Sequence, residues 1–373
     1  MRQSSALPVV LLSAIKLHEG NERALTGNFQ HVLHLAAALV NSTEFDVRVL
    51  TDFESHEELA TRIDGRKLVA TGLRRASVIS ADRAVVQAAA SIRPHIYHKP
   101  TGQLPFWPLR CRTVSSVADL NFATLPTPML KRLYKEVSYR WTLQTADRVT
   151  TVSEFTKGEL VRHLGAAPEK IIVIHHGTNQ LPTADNKVAR EIGGPYWLTF
   201  GHQAHKNVET CFCALEARWV AGLGRGEKLV VVGRSNHIRD ILRPMAEQMG
   251  IANRILFTGS VEASELRGLY ERAIGLLFLS RYEGFGMPVL EAMACSCPVI
   301  SSNACSLPEV VGDAALLVEP LDSAAVTKAM AIIAGDPNQR HAMVDLGRHR
   351  VHRFSWAEAA RKTLEVYQSL LEA

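Results

Sequence analysis

Two series of short apolar runs that alternate with helical segments constrain this fold most strongly. The first half contains six runs with the composition of buried strands: PVVLLSAI, FDVRVLTD, HIYHKP, RTVSSVAD, RVTTVSE and KIIVIHHG. Between the first two lies NFQHVLHLAAALVNS, whose apolar residues recur at helical spacing. Strands that alternate with helices predict a parallel sheet covered by helices on both faces.

The alternation stops once and then starts again. Residues 178–195 are polar and contain proline and glycine, which is typical of a linker. Six further strand-like runs follow: YWLTFG, KLVVVGR, RILFTGS, IGLLFLS, CPVISS and AALLVEP. We therefore predict an α/β protein with two doubly wound, Rossmann-like domains, residues 1–182 and 183–354, which face each other across a cleft.

The last segment, residues 355–373, predicts a separate helix. Ser355 and Glu358 have the spacing of a capping box, and AARKTLEVYQSLL continues the helical pattern. We expect this helix to cross back to the first domain. A chain of 373 residues is long enough for two domains of ordinary size.

Composition and motifs exclude several other classes of protein. The net charge of +5 is mild, and no cluster of Lys and Arg with interleaved aromatic residues indicates nucleic-acid binding. None of the six cysteines forms a CxxC pair, which argues against structural zinc. No GxGxxG follows the first strand, which disfavours a dinucleotide dehydrogenase. The apolar residues 6–15 fit a buried strand better than a signal peptide, so we expect a cytoplasmic protein.

Residues 280–302, SRYEGFGMPVLEAMACSCPVISS, contain the clearest functional pattern. The glycine loop follows a predicted strand, and Pro288 suits the first turn of a helix. The free N–H groups and the positive end of that helix favour a phosphate. Glu283 in the loop and Glu291 in the helix can accept hydrogen bonds from hydroxyl groups. The stretch therefore predicts a ligand with an anionic centre and hydroxyl-rich ends, such as a sugar nucleotide.

This stretch resembles the signature of the retaining glycosyltransferases of family 4, which have the GT-B fold. Two glutamates separated by seven residues surround Gly-Phe-Gly, and Glu-Ala-Met-Ala and a Pro-Val strand follow. The similarity continues in KLVVVGR, ILFTGSVEASELRGLYERA, SLPEVVGDAALLVEP and RFSWAEAARKTLEVY. It covers nearly the whole chain and is strongest after about residue 140.

The resemblance implies specific roles for the matching residues. The catalytic group would be Glu283, Lys206 and Asp119. The donor-binding group would be Gly284, Phe285, Gly286, Met287, Val289, Leu290, Glu291, His202, His205, Val261, Leu266 and Gly27. In these roles Glu283 contacts the donor sugar, Glu291 the ribose and Lys206 the diphosphate. Structural alternatives stay open: Glu291 as a surface helix charge, Gly27 as a turn glycine and Asp119 as a helix cap.

Two departures from the family pattern bear on the site. Ala118 stands where the family often has a histidine, and His202 and His205 stand at or near positions that often hold arginines. If either histidine faces the diphosphate, its charged form should strengthen donor binding as the pH falls through about 6.5.

The resemblance implies a retaining hexosyltransferase. It would move a mannose- or glucose-type sugar from a nucleotide-diphosphate sugar to a glycan or a lipid-linked acceptor, in cell-surface polysaccharide synthesis. No cofactor is expected, and no metal, because the relevant loops contain no Asp-x-Asp pair. Two alternatives remain: a catalytically silent carbohydrate-binding protein, and a sugar-nucleotide epimerase or hydrolase of the same fold.

Residues 129–141, MLKRLYKEVSYRW, predict a basic amphipathic helix with two interpretations. It could make a peripheral contact with the inner face of the plasma membrane. The alternative is an ordinary surface helix whose Leu, Val and Trp side chains turn inward.

Overall fold

The computed structural model describes residues 6–15, 27–74, 76–179, 181–224 and 226–372. The chain divides into two compact units. Unit 1 comprises Met1–Gly177 with Ser355–Ala373, and unit 2 comprises Thr178–Phe354. Residue 182, where the sequence analysis placed the domain boundary, lies a little further along the same loop. Within the described ranges, no helix is both long enough and apolar enough to cross a membrane.

Unit 1 contains a seven-stranded parallel sheet in the order β3-β2-β1-β4-β5-β6-β7. Its strands are β1 (Val9–Ser13), β2 (Asp46–Thr51), β3 (Leu68–Ala70), β4 (Ile96–Lys99), β5 (Arg112–Val117), β6 (Arg148–Thr151) and β7 (Ile171–Val173). Six of these were predicted. β3 was missed because it is a short edge strand: its apolar run, Leu-Val-Ala, is only three residues long and contains no fully buried residue.

The helices of unit 1 cover the sheet. They are α1 (Gly27–Leu39), α2 (Phe53–Ala60), α3 (Val78–Ile92), α4 (Asn121–Thr124), α5 (Met129–Thr145), α6 (Glu154–Leu164) and α15 (Trp356–Glu372). Side-chain caps define several of their ends. Ser153 Oγ accepts the Thr156 N–H at the start of α6, and Gly165 ends that helix in the left-handed region with a φ of 67°.

β1 shows how the sheet separates two apolar cores. Val10 and Leu12 point into the core that includes α1 and α15, whereas Leu11 points into the core on the opposite face. All three side chains are completely buried, which confirms that the apolar segment 6–15 contains a buried parallel strand. Alternate residues of a strand face opposite sides of its sheet, so both faces need helices.

The terminal helix α15 is part of unit 1. It packs against α1, and Tyr367 is completely buried in their shared core. The Tyr367 hydroxyl lies 2.6 Å from Nδ1 of His98, and Nε2 of the same ring lies 2.8 Å from Ser116 Oγ. At the start of α15, the Glu358 N–H donates to Ser355 Oγ at 3.1 Å, as the predicted cap requires. The last 19 residues therefore complete the core begun by the first strands.

Unit 2 contains a six-stranded parallel sheet in the order β10-β9-β8-β11-β12-β13. Its strands are β8 (Tyr196–Phe200), β9 (Lys228–Val232), β10 (Ile255–Gly259), β11 (Gly275–Phe278), β12 (Val299–Ser302) and β13 (Leu316–Val318). Its helices are α7 (Lys187–Glu191), α8 (Val208–Val220), α9 (Arg243–Gln248), α10 (Ala263–Arg272), α11 (Met287–Ala294), α12 (Leu307–Val311), α13 (Ser323–Gly335) and α14 (Pro337–Val351). All six predicted strands of this half are confirmed.

Both sheets reverse their strand order beside their first strand. In unit 1 the reversal lies between β1 and β4, and in unit 2 between β8 and β11. Chain connections leave such a position in opposite directions, which opens a crevice at the carboxyl ends of the two strands. The two predicted Rossmann-like domains are thus confirmed, and each has one such position for a ligand.

Candidate functional site

A buried ion pair lies at the strand reversal of unit 2. Lys206 belongs to the loop after β8, and Glu283 belongs to the loop after β11. Lys206 Nζ donates to Glu283 Oε1 at 2.5 Å, and the two side chains are only 8% and 13% exposed. The same ammonium lies 4.9 Å from the centre of the Phe278 ring. The structure thus brings together two residues that the sequence analysis assigned separately.

The loop after β8 is fixed by contacts to the neighbouring strand. The Arg281 N–H donates to the His205 carbonyl at 2.8 Å. Asn207, in the left-handed region with a φ of 57°, donates from Nδ2 to the carbonyls of Leu279 (3.1 Å) and Pro320 (2.5 Å). These bonds hold the backbone on both sides of Lys206, so the ammonium is positioned before any ligand arrives.

The loop after β11 is held from α12. Ser306 Oγ donates to the carbonyls of Glu283 (2.9 Å) and Phe285 (3.0 Å). Gly286 follows with a φ of 107°, and a Cβ there would lie 2.6 Å from Leu307 Cδ2. Both the backbone conformation and the available space therefore require glycine at the start of α11.

The N-terminus of α11 offers fewer free amides than the sequence analysis predicted for residues 287–290. Pro288 has no N–H, and the Val289 N–H already donates to the Gly286 carbonyl at 3.1 Å. The Val289 and Leu290 side chains are completely buried, so a ligand could reach these residues only through their backbone. Met287 and Gly284 are partly exposed.

Glu291 lies one turn into α11 and is bound by two residues that the sequence analysis missed. Its Oε1 accepts from Asn179 Nδ2 at 3.2 Å, and its Oε2 accepts from the Tyr270 hydroxyl at 3.4 Å. Burial raises the pKa of Glu291 from an ordinary 4.5 to about 7, although both hydrogen bonds act to lower it. Its burial and its two partners exclude the alternative in which Glu291 is a surface helix charge, and a buried carboxyl group with a raised pKa is typical of functional sites.

Two further residues of the predicted donor-binding group lie in and just before α10. Val261 lies in the loop after β10, and Leu266 lies on α10, where both are partly buried. Leu266 is four residues before Tyr270, so the two side chains project from the same face of α10. Because the Tyr270 hydroxyl donates to Glu291, this face of α10 lies beside the Glu291 carboxyl group.

The two histidines of the β8 loop differ in exposure but share their electrostatic environment. The His202 residue is exposed, whereas His205 is partly buried. Burial of the ring, and secondarily the charge of Lys206, lowers the pKa of both His202 and His205 to about 4. The sequence-based expectation of a transition near pH 6.5 is therefore corrected, because His205 is neutral at that pH in the ligand-free protein.

This correction gives a test of His205. An anionic diphosphate would raise the pKa of the ring in the complex, so affinity should increase by up to about tenfold per pH unit as the pH falls toward 4. We expect this rise below about pH 6.5 when a nucleotide sugar is titrated into a Glu291→Gln background, which removes the carboxyl titration. His202→Gln/His205→Gln should abolish the rise, since the pKa of both rings is lowered to about 4, and His341→Gln, at an exposed ring on α14, should not. A flat profile in the parent would show that His205 does not face the phosphates.

Two further predicted residues belong to unit 1. Gly27 is the first residue of α1 and follows residues 16–26, which lie outside the described ranges. Asp119 follows β5, and its Oδ1 accepts the Asn121 N–H at 3.1 Å, near the start of α4. This local bond forms a turn before α4, but the N-cap residue of α4 is Leu120 and has no side-chain cap, so the helix-cap alternative for Asp119 stays a prediction. Ala118 contributes its carbonyl, which accepts from Thr156 Oγ1 at 3.2 Å.

Metal-binding side chains are not clustered in the described part of the chain. Within it, no group of three or more His, Cys, Asp or Glu residues could hold a metal ion.

Comparisons with known proteins agree on the family. The family model described as glycosyl transferases group 1 matches residues 203–350, and that of glycosyltransferase family 4 matches residues 27–180. The chain is 28% identical over 299 residues to O-antigen chain mannosyltransferase B of Escherichia coli, covering 76% of each protein. It is 29% identical to the GDP-mannose:cellobiosyl-diphosphopolyprenol alpha-mannosyltransferase of Komagataeibacter xylinus, over 50% of this chain and 47% of that protein.

Among solved structures, an Anabaena protein in complex with UDP-glucose is similar in fold. The TM-score is 0.76 at 16% identity, over 97% of this chain and 99% of that one. At this identity the similarity supports the fold alone. It agrees with the two Rossmann-like units described above.

Proposed function

Because the chain belongs to the family 4 glycosyltransferases, which have the GT-B fold, we propose that it is a retaining hexosyltransferase. It transfers a sugar from a nucleotide-diphosphate sugar to a glycan or lipid-linked acceptor during cell-surface polysaccharide assembly. The observation that carries this proposal is the buried Lys206–Glu283 pair at the strand reversal of unit 2, with Glu291 beside it in α11. A cation for the diphosphate and two carboxylates for hydroxyl groups match the parts of such a donor.

We favour GDP-mannose as the donor. The names of both relatives describe mannosyltransferases, and one name includes GDP-mannose. The Anabaena structure contains UDP-glucose, so a glucose-type donor is the second choice.

The reaction requires stabilisation of a departing nucleoside diphosphate. The bond between the anomeric carbon and the diphosphate oxygen breaks, and an acceptor hydroxyl oxygen forms a new bond on the same face. Its proton passes to the departing phosphate oxygen. Lys206 can offset the negative charge that develops on that oxygen, while Glu283 holds the sugar hydroxyls. We propose that no metal ion is needed to stabilise this negative charge. We also propose that unit 1 binds the acceptor.

Calorimetric titration with GDP, UDP and ADP tests the donor assignment. We expect only one of the three nucleotides to bind, and we expect it to be GDP. The sugar conjugate of that nucleotide should also bind, and its binding should be saturable. Transfer to octyl mannoside or octyl glucoside, followed by NMR of the product, should show the anomeric configuration of the donor, and EDTA should leave the rate unchanged.

Three results would contradict this proposal. Binding of none of the three nucleotides would favour a silent homologue. Cleavage of the sugar nucleotide at an equal rate without acceptor would favour a hydrolase. A product of inverted configuration would exclude the retaining route.

A further inference from the structure

Helix α5 presents an apolar stripe to solvent. Five large side chains along one side are exposed: Met129 (82%), Leu130 (82%), Leu133 (54%), Tyr134 (39%) and Val137 (53%). Their spacing of i, i+1, i+4, i+5 and i+8 places them on one face of a helix. The buried side carries Ser138 and Thr142 instead. The interpretation in which Leu and Val of this segment turn inward is therefore wrong.

Hydrogen bonds to the loop between β4 and β5 fix this orientation of α5. Thr142 Oγ1 accepts the Leu104 N–H at 3.0 Å, and Trp141 Nε1 donates to the Pro105 carbonyl at 3.2 Å. Rotating α5 to bury its leucines would break both bonds and leave polar groups of the loop without these partners. The outward apolar stripe is thus a consequence of polar contacts on the inner face.

The same loop extends the apolar surface beyond the helix. Phe106 and Trp107 are 39% and 50% exposed. The Phe106 ring lies 6.2 Å from the ring of Trp141, and Phe106 and Tyr134 line one small cavity together. The stripe of α5 and these two aromatic residues therefore form one surface, here called the α5 face. Surfaces with this much contiguous apolar area usually mark an interaction site.

The charges that α5 itself places beside the apolar stripe are positive. Lys131 and Arg132 are exposed and flank the stripe, and the sequence MLKRLYK contains no acidic residue. The Lys135 ammonium instead lies 6.0 Å from the centre of the Phe122 ring, and Asp82 in the same region accepts the Phe106 N–H at 3.0 Å. The first acid along the helix is Glu136, whose Oε1 accepts from Arg140 Nη2 at 3.0 Å. Lysine and arginine stems can lie along an apolar surface while their charged ends reach outward. A complementary partner therefore has a negatively charged surface and an apolar layer beneath that surface.

We propose that the α5 face docks on a bilayer that contains anionic phospholipid. The leucines, Met129 and Trp107 enter the region between headgroups and acyl chains, and Lys131 and Arg132 lie among the phosphates. A second copy of this chain is a poorer partner, because a two-fold contact would place the same cations opposite one another. The docking argument uses unit 1 alone. Only its consequence, access to a lipid-linked acceptor, rests on the proposed function.

Vesicle partitioning of the full chain tests the proposal. Sedimentation with vesicles of phosphatidylcholine containing about 30% phosphatidylglycerol should show binding that pure phosphatidylcholine does not support. Leu130→Ser/Leu133→Ser should lower the partition coefficient at least about tenfold, since both side chains are already exposed and their loss should not disturb the core. Lys131→Gln/Arg132→Gln should weaken binding to the anionic vesicles by about tenfold or more.

A matched control uses equally exposed residues elsewhere. Val220 and Leu321, in unit 2, are 84% and 68% exposed, and Val220→Ser/Leu321→Ser should bind vesicles like the parent. All variants should keep the parent's melting temperature and nucleotide affinity, which separates a failure of docking from a failure of the donor site. Equal partitioning of the parent and Leu130→Ser/Leu133→Ser would overturn the proposal. The proposal would also be overturned if the parent did not bind vesicles but formed a dimer in sedimentation velocity that Leu130→Ser/Leu133→Ser abolished.

Discussion

Replacing Lys206 with Met should lower the rate of sugar transfer by about 10²–10³-fold, as the loss of one preorganised electrostatic contact typically does. Methionine keeps most of the apolar stem over Phe278 but removes the ammonium, which lies 2.5 Å from Glu283. The charge that develops on the departing diphosphate would then have no cation at this position. Single-turnover measurement with saturating donor separates this loss from weaker binding.

The competing explanation is that Lys206→Met transfers sugar slowly because the variant is less stable. A second substitution tests this explanation. In Lys206→Met the Glu283 carboxylate stays nearly buried but has an apolar group in place of its cation. Removing one partner of a buried ion pair lowers the free energy of unfolding by about 3–5 kcal/mol. Lys206→Met/Glu283→Gln removes both charges, so most of that stability should return. Transfer should remain at or below the rate of the single variant. Recovery of activity together with stability would mean that the ion pair only holds the loops in place.

Glu291 should make donor binding depend on pH in the opposite direction to His205. If the carboxylate binds the ribose hydroxyls, only the ionised form is competent, and its pKa in the free protein is about 7. Affinity for the nucleotide sugar should then be constant above about pH 8 and fall by about tenfold per unit well below pH 7. Glu291→Gln should give a flat profile from about pH 8 down to about pH 6.5, below which only the expected rise from the β8-loop histidines should remain. Its binding at pH 8 should be about 10–100-fold weaker, equivalent to a charged hydrogen bond of about 1.5–3 kcal/mol.

The same substitution should stabilise the ligand-free protein. The folded-state pKa of Glu291 lies above its ordinary 4.5, so the group favours folding fully below pH 4.5 and loses this contribution as the pH rises through 7. At pH 8 the free energy of unfolding of unit 2 should therefore increase by on the order of 2–3 kcal/mol in Glu291→Gln. Hydrogen exchange of α11 and its neighbours can report this without assuming a single transition for both units.

Glu271→Gln is the matched control for Glu291. Glu271 lies on α10 and pairs with Arg267, where both side chains are about one-third exposed. Its loss should change neither the pH profile of donor binding nor the stability of unit 2 beyond a few tenths of a kcal/mol. Weaker binding in Glu291→Gln with the parent's pH profile would assign the titration to another group.

The strands could be predicted because parallel strands buried on both faces have continuous apolar sequences, as β9 and β11 of unit 2 do. The chemistry of the site was only partly predictable. Lys206 and Glu283 were each identified from the family pattern, but their contact joins residues 77 positions apart. Asn179 sits in a polar stretch that resembles a linker, and Tyr270 in an ordinary helix, so nothing local marks either as a partner of Glu291.

The orientation of α5 was not predictable from its own sequence. Both faces of that helix contain residues that can be buried, and the choice is made by Leu104 and Pro105, which lie outside it. Apolar periodicity identifies a helix and its stripe, but polar contacts with other segments determine which way the stripe faces.

The membership of α15 in unit 1 has a consequence for the order of events during synthesis. Unit 2 is encoded as an uninterrupted stretch, Thr178–Phe354, whereas unit 1 is encoded in two pieces on either side of it. Most of unit 1 precedes unit 2 in the chain, but Tyr367 and the other apolar residues of α15 that close the core of unit 1 follow unit 2. Unit 1 can therefore be completed only after unit 2 has been synthesised, and until then the surface of α1 that packs against α15 stays uncovered.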